Sequence, residues 1–261
     1  MFNQSEQKTK SPLKGKPLRY PGQSLDERIN KLINENALSY IAIAIFAICY
    51  AGLEWYRWYF KMPYSPIIWT LSAILISSFS AYKAFDIKKK IRLLRLGRDG
   101  ERVVGQFLEL MREKGYKIFH DIIDSNYNID HVIICKHGVF TVETKTFSKP
   151  AKGKSEIKYD GKKILINGRD TSKDILGQAR AEAKWLKEFL MESTGKKIEV
   201  KPIITFPGWY IDSSKAGFNP EVWVLNPKAI DEFIQKSGVE LQEEEISPLS
   251  FTLNRYIRQT A

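Results

Sequence analysis

The stretch DHVIICKHGVFTVETK, Asp130 to Lys145, decides how the second half of the chain folds. Val132, Ile133 and Ile134 precede the turn-like CKHG, and Val139, Phe140 and Val142 follow it. Two apolar runs on either side of a short Gly-containing loop predict a β-hairpin. Taking Cys135–Gly138 as a four-residue loop sets Ile134 opposite Val139, Asp130 opposite Glu143 and Asn128 opposite Lys145. Strands alternate with period two, so Val132, Ile134, Val139 and Thr141 share a face with the ionisable groups. Ile133, Phe140 and Val142 take the other. Both faces are apolar, the mark of a central pair covered on both sides.

Asp130, Glu143 and Lys145 therefore converge at the dry end of the pair farthest from the turn. Two carboxylates a few ångströms apart in such a place repel, and one is driven neutral unless a cation sits between them. A hard divalent ion with oxygen ligands meets that need. Magnesium, with manganese as a substitute, takes one or two carboxylates together with phosphate oxygens and water. Lys145 would orient or help deprotonate an attacking water and stabilise charge on a phosphorane-like transition state. The plainer reading is a strand-end salt bridge between Glu143 and Lys145, with Asp130 a turn residue.

Upstream, Val104, Phe107, Leu108 and Met111 recur at helical spacing, with Asp99 as expected N-cap and Gly115 as the stop. Glu101 lies on the inward face of that helix as a third acidic group aimed at the core. A first-turn Glu favoured by the helix dipole is the competing explanation. Strands are expected over 116–123, 129–135 and 139–146, with a hairpin around Asp160 and Gly161. A helix over 172–192 carries the stripe Ile175, Ala179, Leu186 and Leu190. Strands KIEVKPIITF and EVWVL follow, then a helix capped by Asn226 with Pro227 at its first position. That order predicts an α/β fold, a mixed sheet with helices on its faces.

The front of the chain has another character. Asn36 to Leu53 carries no charge for 18 residues, and Met62 to Tyr82 none for 21. At about 1.5 Å per residue each can cross roughly 30 Å of hydrocarbon, so residues 37–82 read as a transmembrane hairpin. A pair of buried helices in a soluble domain is the alternative. Trp55, Tyr56, Trp58 and Tyr59 between the runs have the composition of an interfacial belt.

Charge supports this division. The net +11 splits into 7 − 4 for residues 1–36, 2 − 1 for 37–82, 7 − 1 for 83–98 and 25 − 24 for 99–261. Basic residues thus flank the apolar region: Lys8, Lys10, Lys14, Lys16 and Arg19 before it, Lys83, Lys88, Lys89, Lys90, Arg92 and Arg95 after it. The positive-inside rule puts both termini and the domain behind the hairpin in the cytoplasm, at the cell membrane. The run KKKIRLLR reads equally as an anionic-lipid contact and as a solvated helical linker. The expected organisation is a basic N-terminal segment (1–36), the hairpin (37–82), a basic juxtamembrane linker (83–98), a domain (99–236) and a C-terminal extension (237–261). Cys49 and Cys135 are the two cysteines and match neither a disulfide framework nor a zinc spacing. His131 alternates away from Asp130 and reads as a packed structural histidine, and His137 as a turn residue.

With these residues in place the chain resembles a known family. GRDGERVVGQFLELM, HDIIDSNYNIDHVIICKHGVFTVETK and GQARAEAKWLKEFL, over about Gly97 to Gln235, look like the nuclease-related domain, NERD, of the PD-(D/E)xK superfamily. The resemblance implies a restriction-endonuclease-like mixed sheet and a metal-dependent nuclease, an endonuclease. It implies Asp130 and Glu143 as metal ligands, Lys145 as catalytic lysine, Glu101 as helical acid and Gln178 near the site. Nucleic acid, DNA before RNA, is the implied partner, alongside the lipid membrane and a second copy of the chain. After Lys145 the sequence TFSKPAKGKSEI departs from the family by delaying its glycine to Gly153. Lys149, Lys152 and Lys154 there offer a basic rim for a phosphate backbone, or a solvated loop. A nuclease-fold module that tethers nucleic acid or a partner protein to the membrane without turnover is the alternative function. The near-neutral charge of residues 99–261 favours it, because nonspecific nucleic-acid binding draws on many phosphate contacts.

Overall fold

In the computed structural model of the chain, residues 16–124, 127–150, 153, 155–171, 174–217 and 219–260 are described. The helices and strands are α1 (Gln23–Lys31), α2 (Leu38–Tyr59), α3 (Pro66–Glu109), β1 (Lys117–Ile123), β2 (Asn128–Cys135), β3 (Gly138–Thr144), β4 (Glu156–Tyr159), β5 (Ile164–Ile166), β6 (Arg169–Asp170), α4 (Ile175–Thr194), β7 (Val200–Thr205), β8 (Tyr210–Asp212), β9 (Trp223–Leu225), α5 (Ile230–Gln235) and α6 (Glu243–Thr260). They form two compact bodies. One comprises residues 22–102 with 146–148, the other the described residues within 1–21, 103–145 and 149–261.

The first body is a helical hairpin with a short helix before it. Residues Leu32–Ala37 form a π-helical turn that joins α1 to α2. Tyr40 meets Phe79 at 6.3 Å and Tyr50 meets Trp69 at 4.4 Å between ring centroids, which fixes α2 and α3 as antiparallel neighbours. α2 continues to Tyr59, so Trp55, Tyr56 and Trp58 are its last turns and the loop lies beyond them. Glu54 is buried at the loop end, where it accepts from the Ser65 N–H at 2.9 Å and from Arg57 Nη1 at 2.7 Å. Helices Gln23–Tyr59 and Pro66–Lys114 are long and apolar enough to cross a membrane. The helix expected to begin at Asp99 does not begin there. α3 runs unbroken from Pro66 to Glu109 through the basic segment 83–98, because no glycine pair or proline interrupts it. Glu101 is therefore mid-helix, and the first-turn dipole explanation falls away.

The second body is a mixed α/β domain with two sheets. Its five-stranded sheet has the order β1-β2-β3-β7-β9, with β1, β2 and β3 antiparallel and β3, β7 and β9 parallel. Ile134 faces Val139 and Ile133 faces Phe140, the expected register. The ladder closes one pair tighter than a four-residue loop, with Cys135 opposite Gly138 and only Lys136 and His137 turning the chain. On one side of the sheet Ile133, Phe140 and Val142 pack with Val104 and Leu108 of α3 and with Ile230 and Ile234 of α5. On the other, Val132, Ile134 and Val139 pack with Leu186 and Leu190 of α4 and with Leu249 and Leu253 of α6. The C-terminal extension thus supplies a buried stripe of Ile246, Leu249, Leu253 and Ile257 to the core. The expected hairpin around Asp160 is β4–β5, and it belongs to a second sheet, β6-β5-β4-β8.

Arg19 was expected among the exposed basic flank and is instead buried. Its Nε donates to Asp121 Oδ2 at 2.6 Å, with side-chain exposures of 5% and 0%. Pro21 also packs in this body, since a β-carbon on Gly105 would sit 2.4 Å from its Cγ. Arg19 and Pro21, which precede α1, are therefore part of the α/β domain.

Candidate active site

β3 and α4 build the cluster, and β2 braces it. Past the His131–Val142 pair the β2–β3 ladder gives way to a side chain: Asp130 Oδ2 accepts from the Thr144 N–H at 2.7 Å. Beyond Thr144 the Lys145 N–H still donates to the Thr205 carbonyl at 2.9 Å, so β7 holds this strand end straight. Asp130 and Glu143 are buried, with exposures of 5% and 4%.

α4 starts at Ile175 because Asp174 caps it, its Oδ1 accepting from the Gly177 N–H at 2.7 Å. A β-carbon at residue 177 would fall 2.0 Å from Asp174 Oδ2, which makes Gly177 necessary to the cap. The next residue, Gln178, points into the cluster. Its Oε1 accepts from Lys145 Nζ at 2.7 Å, while its Nε2 donates to Glu143 Oε1 and to Glu182 Oε1, both at 2.8 Å. Lys145 Nζ also donates to Glu143 Oε1 at 2.5 Å. Asp130, Glu143, Lys145 and Gln178 are thus brought together as expected. Glu101 is buried on α3 within the other body. Lys149 is exposed, and Lys152 and Lys154 lie outside the described residues.

Glu182 is the residue that sequence reasoning missed. It lies one turn after Gln178, in a gap of the Ile175, Ala179, Leu186, Leu190 stripe, and is 1% exposed. A lone carboxylate on a helix's buried stripe was the available signal. Burial, and then the negative charge of Glu143, push its carboxyl up to about 9. Burial works to lower the Lys145 ammonium, but Glu143, with Asp130 and Glu182, more than offsets this and raises it. Lys145 is therefore a persistent cation.

Behind the cluster runs a buried polar chain. Glu109 Oε1 accepts from His120 Nε2 at 2.6 Å, the two Nδ1 atoms of His120 and His131 lie 2.8 Å apart, and His131 Nε2 reaches Thr144 Oγ1 at 3.5 Å. Burial lowers both imidazoles, His131 far below its ordinary value, so both are neutral. Burial works to raise Glu109, but hydrogen bonds from Arg112 and His120 more than offset it and hold the carboxylate charged. With His120 donating from Nε2, its Nδ1 must accept, so His131 donates from Nδ1 and its Nε2 accepts from the Thr144 hydroxyl. One carboxylate sets the tautomer of both rings, and the chain ends on the residue whose N–H holds Asp130. His131 is a packed histidine as expected, but a connected one.

Glu143 Oε2 and Glu182 Oε2 are buried and receive no hydrogen bond from another side chain or the backbone among the described residues, so the proton held by the neutral Glu182 carboxyl is what joins the two acids. Buried acceptors beside a carboxyl driven toward neutrality are what a hard cation would satisfy, and the donor set is all oxygen. Among the described residues no three His, Cys, Asp or Glu side chains form a ready-made metal cage.

Residues 96–207 match the family model of the nuclease-related domain, NERD. The NERD match contains every residue of the cluster, together with Glu101 and the His120–His131 chain. It ends before β8, β9, α5 and α6, short of the reach to Gln235 that the sequence resemblance suggested. No curated protein matches the chain. Among solved structures, Pyrococcus furiosus SfsA in complex with Ca2+ is similar at 20% identity and a TM-score of 0.21, too low to bear on fold or function. That similarity covers 54% of this chain and about half, 52%, of SfsA.

Proposed function

We propose that this chain is a membrane-anchored, divalent-metal-dependent nuclease that hydrolyses phosphodiester bonds of nucleic acid, DNA before RNA, on the cytoplasmic side. The observation that carries the reading is the Asp130, Glu143, Lys145, Gln178 and Glu182 cluster inside a nuclease-related segment. A structural salt bridge needs no second buried carboxyl held protonated beside it.

Asp130 and Glu143 would hold the magnesium ion, with Glu182 beside them. When bound, the ion supplies Lewis-acid stabilisation of the charge that develops on the phosphoryl oxygens. Lys145 stays protonated at neutral pH, so it acts as an electrostatic donor toward that charge and toward the incoming water, and a carboxylate oxygen takes the water's proton. Gln178 holds Lys145, Glu143 and Glu182 in one arrangement through its amide. Exposed Lys149 is available to the phosphate backbone.

Membrane anchoring rests on surface chemistry. Ile43, Ile45 and Phe46 of α2 and Leu71, Ile74 and Leu75 of α3 are all at least half exposed. Apolar surface of that extent needs a cover, and hydrocarbon provides one.

The full chain, purified in detergent, is incubated with linear, circular and single-stranded DNA and with RNA, with magnesium or manganese, beside Lys145→Ala and Asp130→Asn. Metal-dependent cleavage of DNA that disappears in both variants is the expected result. A folded wild-type chain that binds magnesium and cuts nothing overturns it in favour of the tether, the reading that the 25 − 24 charge balance of residues 99–261 favours. A truncation to residues 97–261 is unsuitable, because it leaves Asp121 buried without Arg19.

A further inference from the structure

We infer that the first body carries a binding site for the headgroup of an anionic phospholipid, in the cleft between α1 and α3; the inference rests on the membrane reading above. The cleft is about 510 Å³ and is lined by Arg28, Lys31, Leu32, Lys90, Leu93 and Leu94 among others. Three cations and three leucines in one lining match a phosphate with acyl chains attached, and match a free phosphate poorly.

Three observations point the same way. Lys31 and Lys90 have acidic neighbours, Glu35 at 3.9 Å and Asp86 at 2.8 Å, while Arg28 has no carboxylate partner among the described residues. Leu93 is 59% exposed among these charges, an apolar side chain that water alone does not favour. Leu32 belongs to the π-helical turn Leu32–Ala37, a rare geometry that frequently marks functional positions.

The walls are fixed. Asp26 of α1 accepts from Arg98 Nη1 at 3.1 Å and also from Arg102, so α1 is clamped along α3. A β-carbon on Gly22 would sit 2.9 Å from Arg98 Cγ, so the chain entering α1 lies against α3 as well. The depth is right too. Counting from Pro66, about 20 residues at 1.5 Å bring α3 across roughly 30 Å of hydrocarbon near Asp86, and Lys90 follows about one turn later, in the headgroup layer. Leu32 and Arg28 precede the apolar start of α2 at Leu38 on the same side.

The test uses the full chain reconstituted in phosphatidylcholine vesicles with or without phosphatidylglycerol, followed by native mass spectrometry. Wild type is expected to resist carbonate extraction from both vesicles and to retain phosphatidylglycerol over phosphatidylcholine by at least about tenfold. Arg28→Gln/Lys31→Gln/Lys90→Gln, with unchanged circular dichroism, is expected to lose that preference. Lys88→Gln/Lys89→Gln/Arg92→Gln removes the same charge outside the cleft and is expected to keep it. Equal loss in both triple variants means generic basic attraction and overturns the cleft. Displacement of the lipid by inorganic phosphate assigns the site to free phosphate and overturns the lipid. Extraction from both vesicles overturns the membrane reading itself, whereas resistance without lipid preference overturns the cleft alone.

Discussion

The second body contains two buried ion pairs at strand positions, Arg19–Asp121 on β1 and Lys145–Glu143 on β3, and they are built differently. The first is almost wholly dry, at 5% and 0% side-chain exposure, and ties a residue near the start of the chain to the sheet. The second is 21% and 5% exposed and stands beside Glu182, a carboxyl pushed up to about 9 that shares its proton with Glu143. A closed pair spends its charges on each other and on the fold. An open pair keeps acceptor capacity and repulsion in reserve, and that reserve is what a cation and a substrate phosphate can use.

The sharpest separation is in catalysis. Lys145→Ala and Asp130→Asn are expected to lower the rate of metal-dependent DNA cleavage by at least about a thousandfold, since the first removes the cation facing the developing charge and the second a carboxylate that would hold the metal. Thermal melting separates the two variants: Asp130→Asn keeps an oxygen for the Thr144 N–H and should stay close to wild type, whereas Lys145→Ala takes the cation from buried Glu143 and should melt lower, so its activity is compared per folded molecule. Variants that melt well below wild type and lose activity only in proportion would put the open pair in the same class as the closed one.

Arg19→Ala should do the reverse. Removing the cation takes the guanidinium away from Asp121, which is fully buried, at a cost of roughly 3–5 kcal/mol of stability. Urea denaturation of the full chain in detergent measures it, and cleavage per folded molecule should be preserved. Arg19→Ala/Asp121→Asn should recover part of the loss, because the carboxylate that Arg19 balanced is then replaced by a neutral amide.

Glu182 sharpens the comparison through pH. Its folded carboxyl titrates at about 9 against a reference value of 4.5, so between those values the folded state holds a proton that the unfolded state has released. Stability from this group is fully present below 4.5 and is lost as pH rises toward 9, at up to about 1.4 kcal/mol per pH unit. Metal-free wild type should therefore melt progressively lower from pH 5 to 8, and Glu182→Gln should flatten the slope. Magnesium should restore wild type at pH 8 with release of a proton, read by calorimetry in two buffers. A Glu182→Gln variant with the wild-type slope would assign the pH dependence elsewhere.

How far these features were legible in the sequence depends on the range of the interactions that make them. The β2–β3 register followed from alternation and a short turn, both local, and it put Asp130, Glu143 and Lys145 on one end of one face. Asn226 and Pro227 announced their turn equally well, with Asn226 Oδ1 accepting from the Lys228 N–H at 3.1 Å. What escaped were partners set by long chain separation. Arg19 reads as one more basic residue ahead of an apolar run until Asp121, 102 residues away, takes it. Residues 237–261 look featureless because the apolar stripe of α6 has its partners on α4, β1 and β2, far away in the chain. Asp99 resembles an N-cap because capping residues are also tolerated within a long helix, and the continuity of α3 outweighs that local preference. Glu182 was masked by its own stripe, since a carboxylate between apolar helix positions reads as a break in the pattern.

The smallest expected effect is the most discriminating, because it starts at the surface. Glu109 has a half-exposed side chain and reaches Asp130 only through His120, His131 and Thr144. If that chain fixes the tautomers, Glu109→Ala frees His120 to donate from Nδ1. The His131 Nδ1–H then loses its acceptor, and Thr144 is no longer oriented from behind. Outer-shell losses of this kind typically cost about tenfold. Glu109→Ala is thus expected to lower kcat by roughly that factor at an unchanged KM, and to move the side-chain 15N shifts of His131. Glu109→Gln keeps an oxygen that accepts from His120 Nε2 and should restore both, even though it removes the charge. Equal loss in the alanine and glutamine variants would make Glu109 an electrostatic residue and the two histidines mere packing. Recovery in glutamine alone would extend the open pair's support from the strand end through the sheet to α3.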